Sequence, residues 1–193
     1  MYGEIRLMAE QKYNKKFSTS TMAVVGLMAA VLCVLAPFSI PVGMVPISLA
    51  TFGLYLAVMI LGRKKATIVC LMYLLIGFVG LPVFSGFSGG VAKLLGPTGG
   101  YFFGYLLLTW VAGYFVDKYP RKRELCVLGL ILGTAVCYLV GTAWLAMQTQ
   151  TTLGAAVIVG VVPFLVGDMI KIVVAVWIGN VIRGQINKAG FRV

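Results

Sequence analysis

Asp168 and Lys171 are an acid and a base three residues apart inside an apolar run. Of the five acidic residues only Asp168 lies deep in such a run. Of the sixteen Lys and Arg, only Lys93 and Lys171 fall outside four short clusters, Arg6–Lys16, Arg63–Lys65, Lys118–Arg123 and Arg183–Arg192. On a helix, positions i and i+3 share a face. A carboxylate only accepts hydrogen bonds and an ammonium only donates them, so such a pair either locks helices together or receives a polar solute. Charges within a membrane are expensive, normally face the bundle interior and mark a substrate or ion path. An isolated buried pair is a poor source of stability.

The elements that carry the pair follow from the four basic clusters. Between them run apolar stretches of about 20 residues, the length of a membrane-crossing helix, and basic loops mark the cytoplasmic side. The expected fold is therefore an all-α integral membrane protein with an even number of spans and both termini cytoplasmic. Residues 1–19 are expected to form a cytoplasmic N-terminal segment and 20–193 a single membrane domain. Composition agrees, with 61% hydrophobic residues, 11% charged residues and no His among 193 residues, and a mean hydropathy of +1.01. The net charge of +11 does not imply nucleic acid, because the cations sit in short loops between spans with no aromatic-rich polar groove beside them. Cys33, Cys70, Cys126 and Cys137 show no ligand-like spacing, so neither a metal nor a redox role is expected. Leu32 precedes Cys33 where a lipoprotein signal has a small residue, so the first apolar run reads as an uncleaved helix.

The chain divides into helices at 20–36, ended by Pro37 and Pro41, at about 46–61, 66–80, 101–116 and 124–147, and from Pro163 onward. Pro suits the first turn of a helix, where its missing N–H costs nothing. A basic turn, 62–65, joins the second and third helices. Residues 81–100, rich in Gly, Pro, Ser and Phe, form a long outer loop expected to fold over the outer mouth. Residues 148–162 form another outer loop with a short apolar segment. Gly129, Gly133, Cys137 and Gly141 recur every four residues, a stripe that lets membrane helices approach closely. This register puts Asp168 and Lys171 one to two turns below the outer surface.

The series Pro82-Val83-Phe84, Gly96-Pro97-Thr98-Gly99-Gly100-Tyr101, and Pro163-Phe164 with Gly167-Asp168 and Lys171 resembles the BioY family, the biotin-binding S components of energy-coupling factor (ECF) vitamin transporters. The resemblance covers roughly residues 45–182. It implies a six-transmembrane-helix S-component bundle in a prokaryotic cell membrane, biotin capture from outside, and docking onto a transmembrane coupling protein with two ATPase subunits. One segment departs from the family pattern. Where that pattern has V-P-x-T-x-Q, this chain reads Val45-Pro46-Ile47-Ser48-Leu49-Ala50, keeping a hydroxyl at Ser48 and losing an amide at Ala50.

Biotin carries a ureido group with two N–H donors and one carbonyl, an apolar bicycle and chain, and a carboxylate. The resemblance points to Asp168 as acceptor for the N–H edge and Lys171 as donor to a carbonyl or carboxylate. Phe84, Phe87 and Tyr101 are expected as aromatic walls. Gly89, Gly90, Gly99 and Gly100 would let backbone approach the ligand, Lys93 would attract the carboxylate, and Ser48 would contribute a hydroxyl. Ala23, Gly26 and Ala30 fall at i, i+3 and i+7, and S components resemble one another in meeting the coupling protein through such a small-residue face. No P-loop sequence occurs, so the chain cannot drive transport by its own ATP hydrolysis. One deep carboxylate and no His supply no hydrolase machinery, so the chain reads as a non-enzyme without cofactor or metal. The competing reading is a self-sufficient secondary transporter or channel with Asp168 and Lys171 as an ion relay; the absence of an evident internal repeat weighs against it.

Overall fold

The computed structural model describes residues 19–41, 44–120 and 122–189; the expected N-terminal segment lies outside them, apart from Thr19. Helix α1 spans Thr19–Leu35 and stops before Pro37, whose ring cannot donate to a continuing helix. Two short strands follow, β1 (Ser39–Ile40) and β2 (Ile47–Ser48), paired antiparallel with Ser39 opposite Ser48. This pairing delays the next helix, expected from about residue 46, until Ala50. Helix α2 runs Ala50–Phe78 and is interrupted by Gly62, which takes φ 71° and ψ −173°.

That interruption falls at the expected basic turn, but the chain bends through one non-helical residue instead of leaving the bundle. The positive φ requires glycine. A side chain at residue 62 would also run into the Asp117 carboxylate. Asp117 accepts from the Arg63 backbone N–H at 3.3 and 3.2 Å, satisfying a donor left open where helix restarts. The Arg63 guanidinium lies 4.7 Å from the Trp110 ring centroid, a cation–π distance.

Residues 79–98 fold back on the bundle. Gly86 N–H donates to Pro37 O at 3.0 Å and Gly90 N–H to Gly77 O at 2.7 Å, which ties the loop to the ends of α1 and α2. Phe84 and Ser88 exchange backbone hydrogen bonds, and a short helix α3 (Val91–Leu95) completes the segment. Helices α4 (Gly99–Lys118) and α5 (Arg123–Thr149) pack along their lengths. The small-residue stripe faces that interface, with Gly129 against Phe115, Gly133 against Leu108 and Ala112, and Gly141 against Tyr101. Helix α6 (Leu153–Gly160) falls where a short apolar segment is expected in residues 148–162, with Thr152 as its N-cap. Helix α7 spans Val162–Lys188 and has Pro163 in its first turn.

Three described helices, α4, α5 and most of α7 (Val162–Ile186), are long and apolar enough to cross a membrane, and α1 is a shorter apolar helix of 17 residues. The first half of α2 is the buried centre of the bundle, with Gly53 through Gly62 buried without interruption. Charge separates the two ends of the bundle. Arg63, Asp117, Lys118 and Arg183, whose Nη1 donates to Met59 O at 3.5 Å, gather at one end. The strand pair, the 79–98 loop and α6 gather at the other.

Candidate ligand-binding site

The loop-covered end contains a pocket between the β2–α2 junction, α4, α5 and the first turns of α7. Helix α7 presents Asp168 and Lys171 to it from one face, three residues apart. Lys171 Nζ lies 2.9 Å from Asp168 Oδ1, and the side chains are 13% and 4% exposed respectively. The pair is built into a larger polar box. Lys171 Nζ also donates to Ser48 O at 2.8 Å and Thr51 Oγ1 at 3.2 Å. Thr51 Oγ1 donates to Asp168 Oδ1 at 3.1 Å, and Tyr138 Oη donates to Asp168 Oδ2 at 2.6 Å.

Counting donors and acceptors limits what the box can still do. An ammonium has three N–H groups, and those of Lys171 are taken by Ser48 O, Thr51 and Asp168. Each carboxylate oxygen has two lone-pair sites. Oδ1 is filled by Lys171 and Thr51, whereas Oδ2 holds only Tyr138, so one acceptor site on Asp168 remains open. The charges are thereby paired and hydrogen-bonded, which is what their burial requires.

The other expected site residues divide into two groups. Ser48 and Tyr101 line the pocket with Asp168 and Lys171. Ser48 contributes its carbonyl to Lys171, while its hydroxyl accepts from Ala50 N–H at 3.2 Å. Tyr101 offers its ring, because its hydroxyl donates to Gly160 O at 2.9 Å. Phe84 is fully buried as an anchor for the loop, 5.4 Å from the Tyr73 ring centroid and 4.5 Å from that of Phe102. Gly89 packs its α-carbon against Leu81 O, and Gly100 packs against Trp144. Gly90, with φ 88°, caps α3, and Lys93 stands partly exposed on that helix. Phe87 is exposed and sits edge-on to Phe38. On α1, Ala23 and Ala30 are exposed, and a Cβ at Gly26 would meet nothing within 4 Å.

Thr51, Tyr138, Tyr73 and Tyr105 line the pocket without having been singled out in the sequence. Two signals bore on them. Thr51 lies three residues beyond Ser48, and Tyr138 directly follows Cys137 of the small-residue stripe.

Comparison with known proteins places this architecture among close relatives. The BioY family model matches residues 9–188. The chain is 37% identical over 164 residues to a probable biotin transporter BioY of Pyrococcus horikoshii, covering 85% of this chain and 96% of the relative. It is 39% identical over 150 residues to the biotin transporter BioY of Thermotoga maritima, covering 78% and 88%. A crystal structure of the S component for biotin from an ECF-type ABC transporter superposes with a TM-score of 0.80 at 32% identity, covering 86% of this chain and 91% of that one.

Proposed function

This chain belongs to the BioY family, and we propose that it is the biotin-binding S component of an ECF-type vitamin transporter, a transport subunit and not an enzyme. The observation that carries this reading is the polar box at Asp168, set in a pocket with aromatic and apolar walls beneath an ordered outer loop. Ligand pockets of this kind are mostly apolar with a few placed polar groups that fix orientation. Biotin has that distribution, one polar bicycle edge and one carboxylate joined by apolar carbon.

Within the box, the open acceptor site on Asp168 Oδ2 suits one ureido N–H. Lys171, with Thr51 and Ser48, fixes the position of Asp168; its charge favours an anionic ligand without a free N–H. Ser48 and Tyr101 flank the ligand. Phe84, Gly89, Gly90 and Gly100 shape the loop and helix that close the pocket, and Lys93, on α3, would attract the ligand's carboxylate.

We further propose six membrane crossings, counting the two halves of α2 separately, in a prokaryotic cell membrane. Both termini and the Gly62 and Tyr119–Lys122 bends would be cytoplasmic, because the basic residues gather there. The loop-covered end would then face outward. Ala23, Gly26 and Ala30 would form the face on which the coupling protein docks, with two ATPase subunits bound to that partner. The exposure of Ala23 and Ala30 and the open space over Gly26 support this reading, since close helix approach needs small residues on an outer surface. Titration of the purified chain with biotin tests the function directly: saturable binding by the chain alone supports it, and absence of binding by folded protein removes it.

A further inference from the structure

Four buried side-chain polar atoms among the described residues have no hydrogen-bond partner: Arg63 Nε, Tyr73 Oη, Thr142 Oγ1 and Asn180 Nδ2. Of these, only Tyr73 belongs to a residue lining the pocket that holds Asp168 and Lys171. Tyr73 is fully buried on the second half of α2. Its ring is fixed edge-on against Phe84, with centroids 5.4 Å apart and planes at 80°, and Phe84 rests on Phe102. The hydroxyl therefore cannot swing away to water without dismantling the anchor of the outer loop. Four other hydroxyls of the pocket are bound: Thr51 and Tyr138 to Asp168, Tyr101 to Gly160 O and Thr134 to Leu130 O. A buried hydroxyl left unpaired is costly, and because Tyr73 lines the pocket, a polar group entering beside it would satisfy that hydroxyl.

The chemistry of its partner follows from its surroundings. Among the described residues, the titratable side chains that act on Tyr73 electrostatically are Tyr105, Cys70 and Cys33, none of them charged at neutral pH. A carboxylate brought there would be a buried charge without a counter-ion. We propose that Tyr73 Oη hydrogen-bonds a neutral polar group of the bound ligand, so the pocket reads its ligand from two sides, by the charged box at Asp168 and by this neutral hydroxyl. On the functional reading above, on which this inference rests, that group is part of the biotin ureido ring.

The experiment is isothermal titration of the full chain in detergent with biotin, for the wild type and Tyr73→Phe, together with thermal unfolding of each without ligand. Removing one neutral hydrogen bond should raise Kd about two- to tenfold. The ligand-free melting midpoint should stay level or rise, because the substitution deletes an unpaired hydroxyl and keeps the ring. Unchanged affinity would overturn the inference, leaving the hydroxyl without a ligand role. A loss well beyond tenfold would overturn its neutral assignment, since bonds to charged groups are the stronger class. Failure of the folded wild type to bind biotin would instead strike the functional reading itself, and this inference with it.

Discussion

Tyr138 donates to Asp168 Oδ2 at 2.6 Å, the shortest contact in a box otherwise held at 2.8 to 3.2 Å. The bond joins α5 to α7 across the pocket and leaves Oδ2 with one acceptor site. Tyr138→Phe deletes it while keeping the ring. A hydrogen bond to a charged group contributes about 1.5–3 kcal/mol, so the ligand-free melting midpoint should fall. An unchanged midpoint would mean that Asp168 does not depend on α5 for its placement.

Lys171 and Asp168 divide their roles unequally. Lys171→Met should leave Asp168 as a buried charge lacking its counter-ion, a loss of about 3–5 kcal/mol. Asp168→Asn combined with Lys171→Met should recover much of that stability, since neither charge then remains buried. Thermal unfolding of the single and double variants measures the recovery. A double variant no more stable than Lys171→Met would show that the cost lies in lost packing and not in charge.

Gly62 and Asp117 govern the bend in α2. Gly62→Ala forces an L side chain to φ 71°, at a cost of at least about 1 kcal/mol, and drives it into the Asp117 carboxylate. Asp117→Ala should cost less, because the Arg63 N–H it serves is exposed and water can replace it. Equal losses would mean that the carboxylate, and not the backbone, sets the bend.

The helices and their ends were largely legible in the sequence. Pro37 stops α1, Pro163 stands in the first turn of α7, and the stripe Gly129, Gly133, Cys137, Gly141 faces α4. Asp168 and Lys171 were also legible, because charge in an apolar run stands out. The rest of the box was not: Thr51 and Tyr138 are unremarkable in composition, and only the crossing of α2, α5 and α7 brings them to Asp168. Phe84 shows the converse. Its place in an aromatic Gly-rich loop suggested a ligand wall, but Gly77 leaves a space that its ring fills, so it anchors the loop instead. The strand pair Ser39–Ile40 with Ile47–Ser48 is too short to leave a periodic signal.

Sidedness is testable by cysteine labelling in intact cells. Ala92→Cys, on the loop-covered end, should react with an impermeant reagent from outside, whereas Lys64→Cys and Lys122→Cys should react only after permeabilisation. All three positions are exposed, so labelling reports side and not burial. Outside labelling of residue 122 would invert the topology and place the pocket on the cytoplasmic side.

The proposed docking face on α1 predicts a separation of two properties. Gly26→Leu or Ala30→Leu should weaken co-purification with the coupling protein and ATPases, since a large side chain holds a partner helix away. Biotin binding by the isolated chain should be unaffected. Equal loss of both would mean that the face serves packing within the chain.

The central claim, that this chain alone captures biotin through Asp168, is tested most directly by isothermal titration of detergent-purified wild type and Asp168→Asn with biotin. The wild type should bind saturably. Asp168→Asn should bind about tenfold to a hundredfold more weakly, the loss of one charge-assisted bond at about 1.5–3 kcal/mol. Unchanged biotin affinity in folded Asp168→Asn protein would contradict the site.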